Sequence, residues 1–298
     1  MIDLPTPVPC PVMKHALGLS FLIAALLGWA APGHAAERVD LELLIATDVS
    51  RSIDEEEARL QREGVAAAFL AGDVIGAIRS GALGRIAVAY IDYSSRPYNV
   101  VIADWRVIHD QASANAFAEI LLKAPISEGR RTSIADAIEH GMEMIQGNGF
   151  KGTRRVIDIS GDGPNNHGRL VSDARDQAVA KLITINGLPI INDPGEPFRS
   201  RYYLPDLDKY YAGCVIGGNG AFQVPARNFR DFARAIKKKL ILEVAGATPH
   251  RGAPGRPRII KAASALGAPP PAVGPGYRLG CDIGERMRNR AWGEYDDP

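Results

Sequence analysis

The sequence predicts an α/β protein: a doubly wound, mostly parallel sheet of about six strands, with one antiparallel edge strand and helices on both faces. Two observations carry this expectation. From Asp40 onward, short apolar runs rich in Val, Ile and Ala alternate with longer stretches of helical periodicity, as expected for strands buried on both faces and joined by crossover helices. The run at 100–103 follows the run at 85–93 so closely that the two read as a hairpin at the sheet edge.

In chain order, strands are expected at 41–47, 85–93, 100–103, 155–160, 182–186 and around 214–216. Helices are expected at 54–70, 132–146, 170–181 and 228–242. Over 132–146, Ile134, Ile138, Met142 and Ile145 fall on one face, and over 228–242 so do Phe229, Phe232, Ala233, Ile236 and Leu240. No internal repeat is visible.

The flanks read differently. Lys14 and His15 precede an apolar run at 16–31 that ends in Pro32, Gly33, His34, Ala35 and Ala36, so residues 1–35 read as a Sec-type signal peptide with small residues at the cleavage positions. The alternative is an uncleaved anchor, but a run of about 16 apolar residues falls short of the roughly 20 that span a bilayer. Met13 is an alternative start, because residues 1–12 hold four prolines and no basic residue; Cys10 would then be absent from the protein. The body of the domain is expected at 38–246. A Pro, Gly, Ala and Arg-rich linker follows at 247–276, and then a tail at 277–298 with enough apolar residues to dock but too few to fold alone. The expected location is the periplasm or the medium, with no membrane span after cleavage. In an oxidising compartment Cys214 and Cys281 are candidates for a disulfide.

A net charge of +1, from 35 basic and 34 acidic residues, provides no sustained field for nucleic acid, so none is expected as a partner.

Ligands of open α/β sheets bind at the carboxyl ends of the strands. The first strand ends in Asp48-Val49-Ser50-Arg51-Ser52, a D-x-S-x-S pattern; a second loop brings Thr132 to the start of a helix; a third, Ser160-Gly161-Asp162-Gly163, follows the strand at 155–160. Two aspartates and three hydroxyls are the donors a hard cation prefers, which makes Mg²⁺, or Mn²⁺ or Ca²⁺, the expected cofactor and Asp48, Ser50, Ser52, Thr132 and Asp162 the expected ligands. Each piece also has a structural reading. Ser52-Ile53-Asp54-Glu55 fits a capping box, Ser133-Ile134-Ala135-Asp136 starts a helix in the same way, and Asp162-Gly163 is a common turn pair. Capping does not, however, require an aspartate and a serine two residues apart at one strand end and an aspartate loop at another.

This arrangement resembles the metal-ion-dependent adhesion site of von Willebrand factor A domains, in which D-x-S-x-S follows the first strand, a threonine comes from a second loop and an aspartate from a third. Asp48, Ser50, Ser52, Thr132 and Asp162 match those positions in order, and the resemblance covers about 40–246. It implies a von Willebrand factor A-like sheet with the ion at its upper edge, completed by a carboxylate of a protein ligand. The phrases RRVIDISGDGPNN and CVIGGNGAF resemble an uncharacterised family of bacterial exported proteins with this domain. Arg51, Arg131, Asn165 and Asn166 are candidates for the rim or for the layer behind the ligands, and Asp158, a charge inside an apolar strand, is expected to find a partner near the metal loops, either supporting a ligand from behind or in a purely structural buried hydrogen bond. The segment at 191–211 reads as an insertion, either a second recognition loop or an ordinary surface loop.

Gly217-Gly218-Asn219-Gly220 lacks the Lys-Ser/Thr ending of a phosphate loop, and His109, His140 and His167 have no partner at zinc-ligand spacing. No catalytic residue is expected. The reading is therefore a metal-dependent protein-binding module; the alternatives are a metal-dependent hydrolase and a domain whose metal only stabilises it.

Overall fold

The computed structural model describes residues 36–95, 98–191, 203–246 and 279–293. The expected signal peptide at 1–35, the linker at 247–276 and most of the insertion at 191–211 lie outside these residues. The chain divides into two units at Ala36, and the second, 37–298, carries everything described below.

Strand β1 (Glu37–Asp48) leads through helices α1 (Glu55–Leu70) and α2 (Gly72–Arg79) to β2 (Ile86–Tyr93) and β3 (Asn99–Ile108). Helices α3 (Gln111–Lys123) and α4 (Ile134–Gln146) precede β4 (Phe150–Gly161), followed by α5 (Val171–Ala180) and β5 (Thr184–Pro189). The short α6 (Leu207–Tyr210) runs into a π-helical turn (Tyr211–Val215); α7 (Phe232–Ala245) and α8 (Ile283–Gly293) complete the chain.

The sheet order is β3-β2-β1-β4-β5, with β3 antiparallel to β2 and every other pair parallel. The central strands are apolar on both faces because both are covered. Leu41, Leu43 and Ile45 of β1 pack towards α1, α2, α3 and α7, whereas Leu44 and Ala46 pack towards α4, α5 and the π-helical turn. Complete burial of each such Leu or Ile side chain contributes about 1.5–3 kcal/mol, so the two-sided core fixes the register that brings the ends of β1, β2 and β4 together.

Two expectations need correction. The described sheet has five strands, because the run at 214–216 is not a sixth: Leu207, Tyr210, Tyr211, Cys214 and Val215 are buried at helical spacing, and only Gly217 beyond them forms an antiparallel bridge, to Ile185. Strand β5 begins at Thr184 rather than 182, because Leu182 is 81% exposed and turns the chain with φ of 59°. Helices α2 and α3 were not anticipated.

Candidate metal centre

The upper edge of the sheet is built by three loops. The first leaves β1, whose last residue, Asp48, is fully buried; Oδ1 of its carboxylate accepts the Ser50 amide at 2.8 Å, and its own carbonyl accepts Nε2 of the buried Gln61 on α1 at 3.2 Å. This turn presents the Ser50 and Ser52 hydroxyls side by side, 3.2 Å apart. Helix α1 does not use Ser52 as its cap. Its capping box is Asp54 with Glu57, two residues further on, which leaves the Ser52 hydroxyl to donate to Asp162 Oδ1 at 2.7 Å.

The second loop, 128–133, is seated on the end of β2. The Gly129 amide donates to the Val49 carbonyl, the Arg130 amide to Ser94 Oγ, Ser94 Oγ to the Arg131 carbonyl, and the Ser133 amide to the Ser94 carbonyl. A Cβ at Gly129 would lie 2.2 Å from the Ser94 side chain, so only glycine permits this approach. Ser133 caps α4 by accepting the Asp136 amide, and Thr132 is left to donate its hydroxyl to Ser50 Oγ at 3.0 Å.

The third loop leaves β4 and carries Asp162. Asn166 pairs with Thr132 in both directions: its Oδ1 accepts the Thr132 amide at 3.0 Å and its amide donates to the Thr132 carbonyl at 2.9 Å. Asn165 is fully buried beneath the site, its Oδ1 accepting the Ala135 amide and its Nδ2 donating to Glu285 Oε1 and to the carbonyls of His167 and Arg169. Thus Asn165 lies in the buried layer behind the donors, while Arg51 and Arg131 are exposed.

All five expected donors therefore fall into one hydrogen-bonded group. A divalent cation fits the chemistry of the group on one specific observation: Asp48 Oδ2 is buried without a hydrogen-bond donor, and an orphaned carboxylate oxygen is costly unless a cation meets it. Burial, reinforced by the Asp162 carboxylate, holds the Asp48 carboxyl well above its ordinary range. Among the described residues no cluster of three or more His, Cys, Asp or Glu is placed to hold a metal.

Asp158 does not join this group. It faces α7, where its Oδ2 lies 2.5 Å from Nζ of the fully buried Lys239, which also reaches Glu243 Oε1 at 2.5 Å. Gly217-Gly218-Asn219-Gly220 lies away from the metal edge, with Gly218 against Thr184 at the start of β5. Cys214 and Cys281 form a disulfide, with Cα atoms 5.5 Å apart.

Several organising residues carried no motif. Ser94 would have emerged had the strand-end rule been applied to β2. Tyr210, whose hydroxyl accepts the Asn165 amide at 3.1 Å, and Glu285 and Arg288 of the tail had no local signal. Burial, together with the charges of Arg131 and Arg288 and against that of Asp136, lowers the His167 imidazole below its ordinary value.

Residues 38–248 match the family described as "Protein of unknown function (DUF1194)". No curated protein matches the chain. Among solved structures, proximal thread matrix protein 1 from the mussel byssus aligns at 12% identity with a TM-score of 0.50, over 70% of this chain and 49% of that one. A second structure of that protein, described with a zinc-occupied MIDAS motif, aligns at 12% identity and TM-score 0.48 over 69% of this chain and 46% of that one. A von Willebrand factor type A protein from Catenulispora acidiphila aligns at 12% identity and TM-score 0.47 over 70% of this chain and 43% of that one. The chain spans about half the length of these proteins, and at such identity the likeness concerns the fold alone.

Proposed function

We propose that this chain, which belongs to the DUF1194 family of proteins of unknown function, is an exported binding module that holds one divalent cation and offers it to a carboxylate of a partner protein. The observation that carries the reading is the convergence of Asp48, Ser50, Ser52, Thr132 and Asp162 from three loops, with Asp48 Oδ2 left without a donor. Mg²⁺ is the cation that suits two carboxylates and neutral oxygens best, with Mn²⁺ and Ca²⁺ as the alternatives. When bound, it supplies Lewis acidity for an oxygen from outside the chain.

The protein's own residues prepare that position. Asp48 and Asp162 provide the compensating negative charge, the three hydroxyls keep the donor set neutral beyond it, and the Gly129–Ser94 contact fixes the Thr132 loop. Arg51 and Arg131, exposed at the rim, favour an acidic partner surface. Export rests on the apolar run at 16–31 with its small-residue exit, and on the Cys214–Cys281 bridge, a bond that persists in oxidising compartments. Among the described residues no helix is long and apolar enough to cross a membrane.

The test is capture. Envelope extract is passed over the immobilised protein in Mg²⁺ and eluted with EDTA; a defined protein should elute from the wild type and none from Asp48→Ala. Retention that ignores EDTA contradicts the reading. Mg²⁺-dependent turnover of a phosphate or carboxylic ester, lost in Asp48→Ala, would replace it with a hydrolase, and a metal that raises the melting temperature without any EDTA-released partner would replace it with a structural site.

A further inference from the structure

Among the described side chains of the tail, Ile283 is buried, and Cys281 and Met287 pack partly against the cluster beside α4 and α5. Its polar side chains nevertheless converge on one turn. Glu285 Oε1 accepts Asn165 Nδ2 at 2.7 Å, and Arg288 donates to the Asn166 carbonyl at 2.7 Å. The tail backbone touches the same turn, since a Cβ at Gly284 would lie 2.0 Å from the Asn165 carbonyl oxygen and 3.1 Å from Pro164. Tyr210, four residues before Cys214, accepts the Asn165 amide at 3.1 Å. The disulfide, whose ends are 67 positions apart in sequence, therefore joins the two segments that grip Asn165.

That turn borders the metal centre. Asn165 and Asn166 lie three and four residues after Asp162 in the same loop, and Asn166 pairs with both backbone groups of Thr132, while Asn165 receives the amide of Ala135 at the start of α4. We propose that the tail is a positioning element of the metal centre: through the Cys214–Cys281 bridge, Gly284, Glu285 and Arg288 hold the 165–166 turn so that Asp162 and Thr132 stay in place, and metal affinity depends on the oxidation state of the bridge. This rests on the metal-binding reading given above. In the reductive direction a dithiol delivers two electrons and two protons to the bridge, giving the Cys214 and Cys281 thiols and leaving the dithiol as its own disulfide. Without the bridge the Ile283 and Met287 contacts and the Glu285 and Arg288 hydrogen bonds hold the tail alone, and its grip on the 165–166 turn loosens.

The experiment is calorimetric titration of Mg²⁺ and Mn²⁺ into the oxidised mature protein, into C214S/C281S, and into the bridge-intact variants Arg288→Ala, Gly284→Leu, Glu285→Ala and Glu285→Gln, with circular dichroism as the folding control. C214S/C281S, Arg288→Ala, Gly284→Leu and Glu285→Ala should each bind metal about tenfold more weakly, the worth of one charge-assisted hydrogen bond. Glu285→Gln, which keeps an acceptor for Asn165, should bind as the wild type does. If C214S/C281S does not fold, the bridge-intact variants decide. Wild-type affinity in Arg288→Ala, Gly284→Leu and Glu285→Ala would overturn the proposal, whereas absence of metal binding in the wild type itself would overturn the metal-centre reading instead.

Discussion

Ser52 donates a hydrogen bond to Asp162 Oδ1 at 2.7 Å although 110 residues separate them. The contact unites the loops leaving β1 and β4, which the parallel register sets side by side: Thr47 of β1 lies opposite Ser160 of β4. The site is thus a product of the core, because the buried apolar faces of the two strands fix that register.

Gly161, between the register residue and Asp162, is a sensitive position. A Cβ there would meet the Tyr93 hydroxyl at 2.9 Å and Asp48 Oδ2 at 3.0 Å. Gly161→Ala should cost about 1–3 kcal/mol of stability, as overpacking does, and also weaken Mn²⁺ binding by displacing the Asp48 carboxylate. Chemical denaturation and metal titration of the same preparation check both; unchanged metal affinity would contradict the placement.

The charge buried under α7 gives a prediction about stability alone. Lys239 is fully buried and pairs with Asp158 and Glu243, while Glu243 also accepts Asn186 Nδ2 at 2.9 Å. Lys239→Met leaves two carboxyl groups without their cation and should destabilise the domain by about 3–5 kcal/mol, the usual cost of breaking a buried pair from one side. Urea denaturation measures it; a change below about 1 kcal/mol would show that the carboxyl groups relax into solvent or share a proton at little cost.

The same cluster makes stability depend on pH. Burial, with the Glu243 carboxylate adding to it and Lys239 opposing, raises the Asp158 carboxyl to about 7. The folded state therefore holds this proton up to about pH 7, whereas the unfolded chain releases it near pH 4. A carboxyl raised on folding contributes stability that is present below pH 4 and lost as pH rises through the folded value, so this group makes stability decline between those limits. Asp158→Asn should flatten that part of the profile. Denaturation at several pH values between about 4 and 8 gives the comparison, and parallel profiles for wild type and variant would contradict the assignment.

The sequence made much of this legible, for physical reasons. Apolar runs in β1, β2 and β4 had to be strands buried on both faces, and D-x-S-x-S at the end of the first placed three oxygens at a known ligand edge. Its two ambiguities were resolved by caps: Asp54 took the capping role from Ser52, and Ser133 took it beside Thr132, freeing both hydroxyls. The misread strand at 214–216 had its own signal in Leu207, Tyr210, Tyr211, Cys214 and Val215, whose spacing is helical. Asp158 was placed near the metal loops because its cation lies 81 residues further along the chain, on a helix whose apolar pattern gave no reason to count a lysine as inward-facing. Glu285 and Arg288 were invisible for the same reason, being positioned by a disulfide rather than by local pattern.

The central claim is that the group around Asp48 holds a divalent cation, and calorimetric titration of Mg²⁺ and Mn²⁺ into the wild type and Asp48→Ala, with circular dichroism on both, tests it most directly. One site per chain should appear in the wild type and vanish in a folded Asp48→Ala, with Thr132→Ala and Asp162→Ala losing less affinity. Equal affinity in wild type and Asp48→Ala would contradict the account.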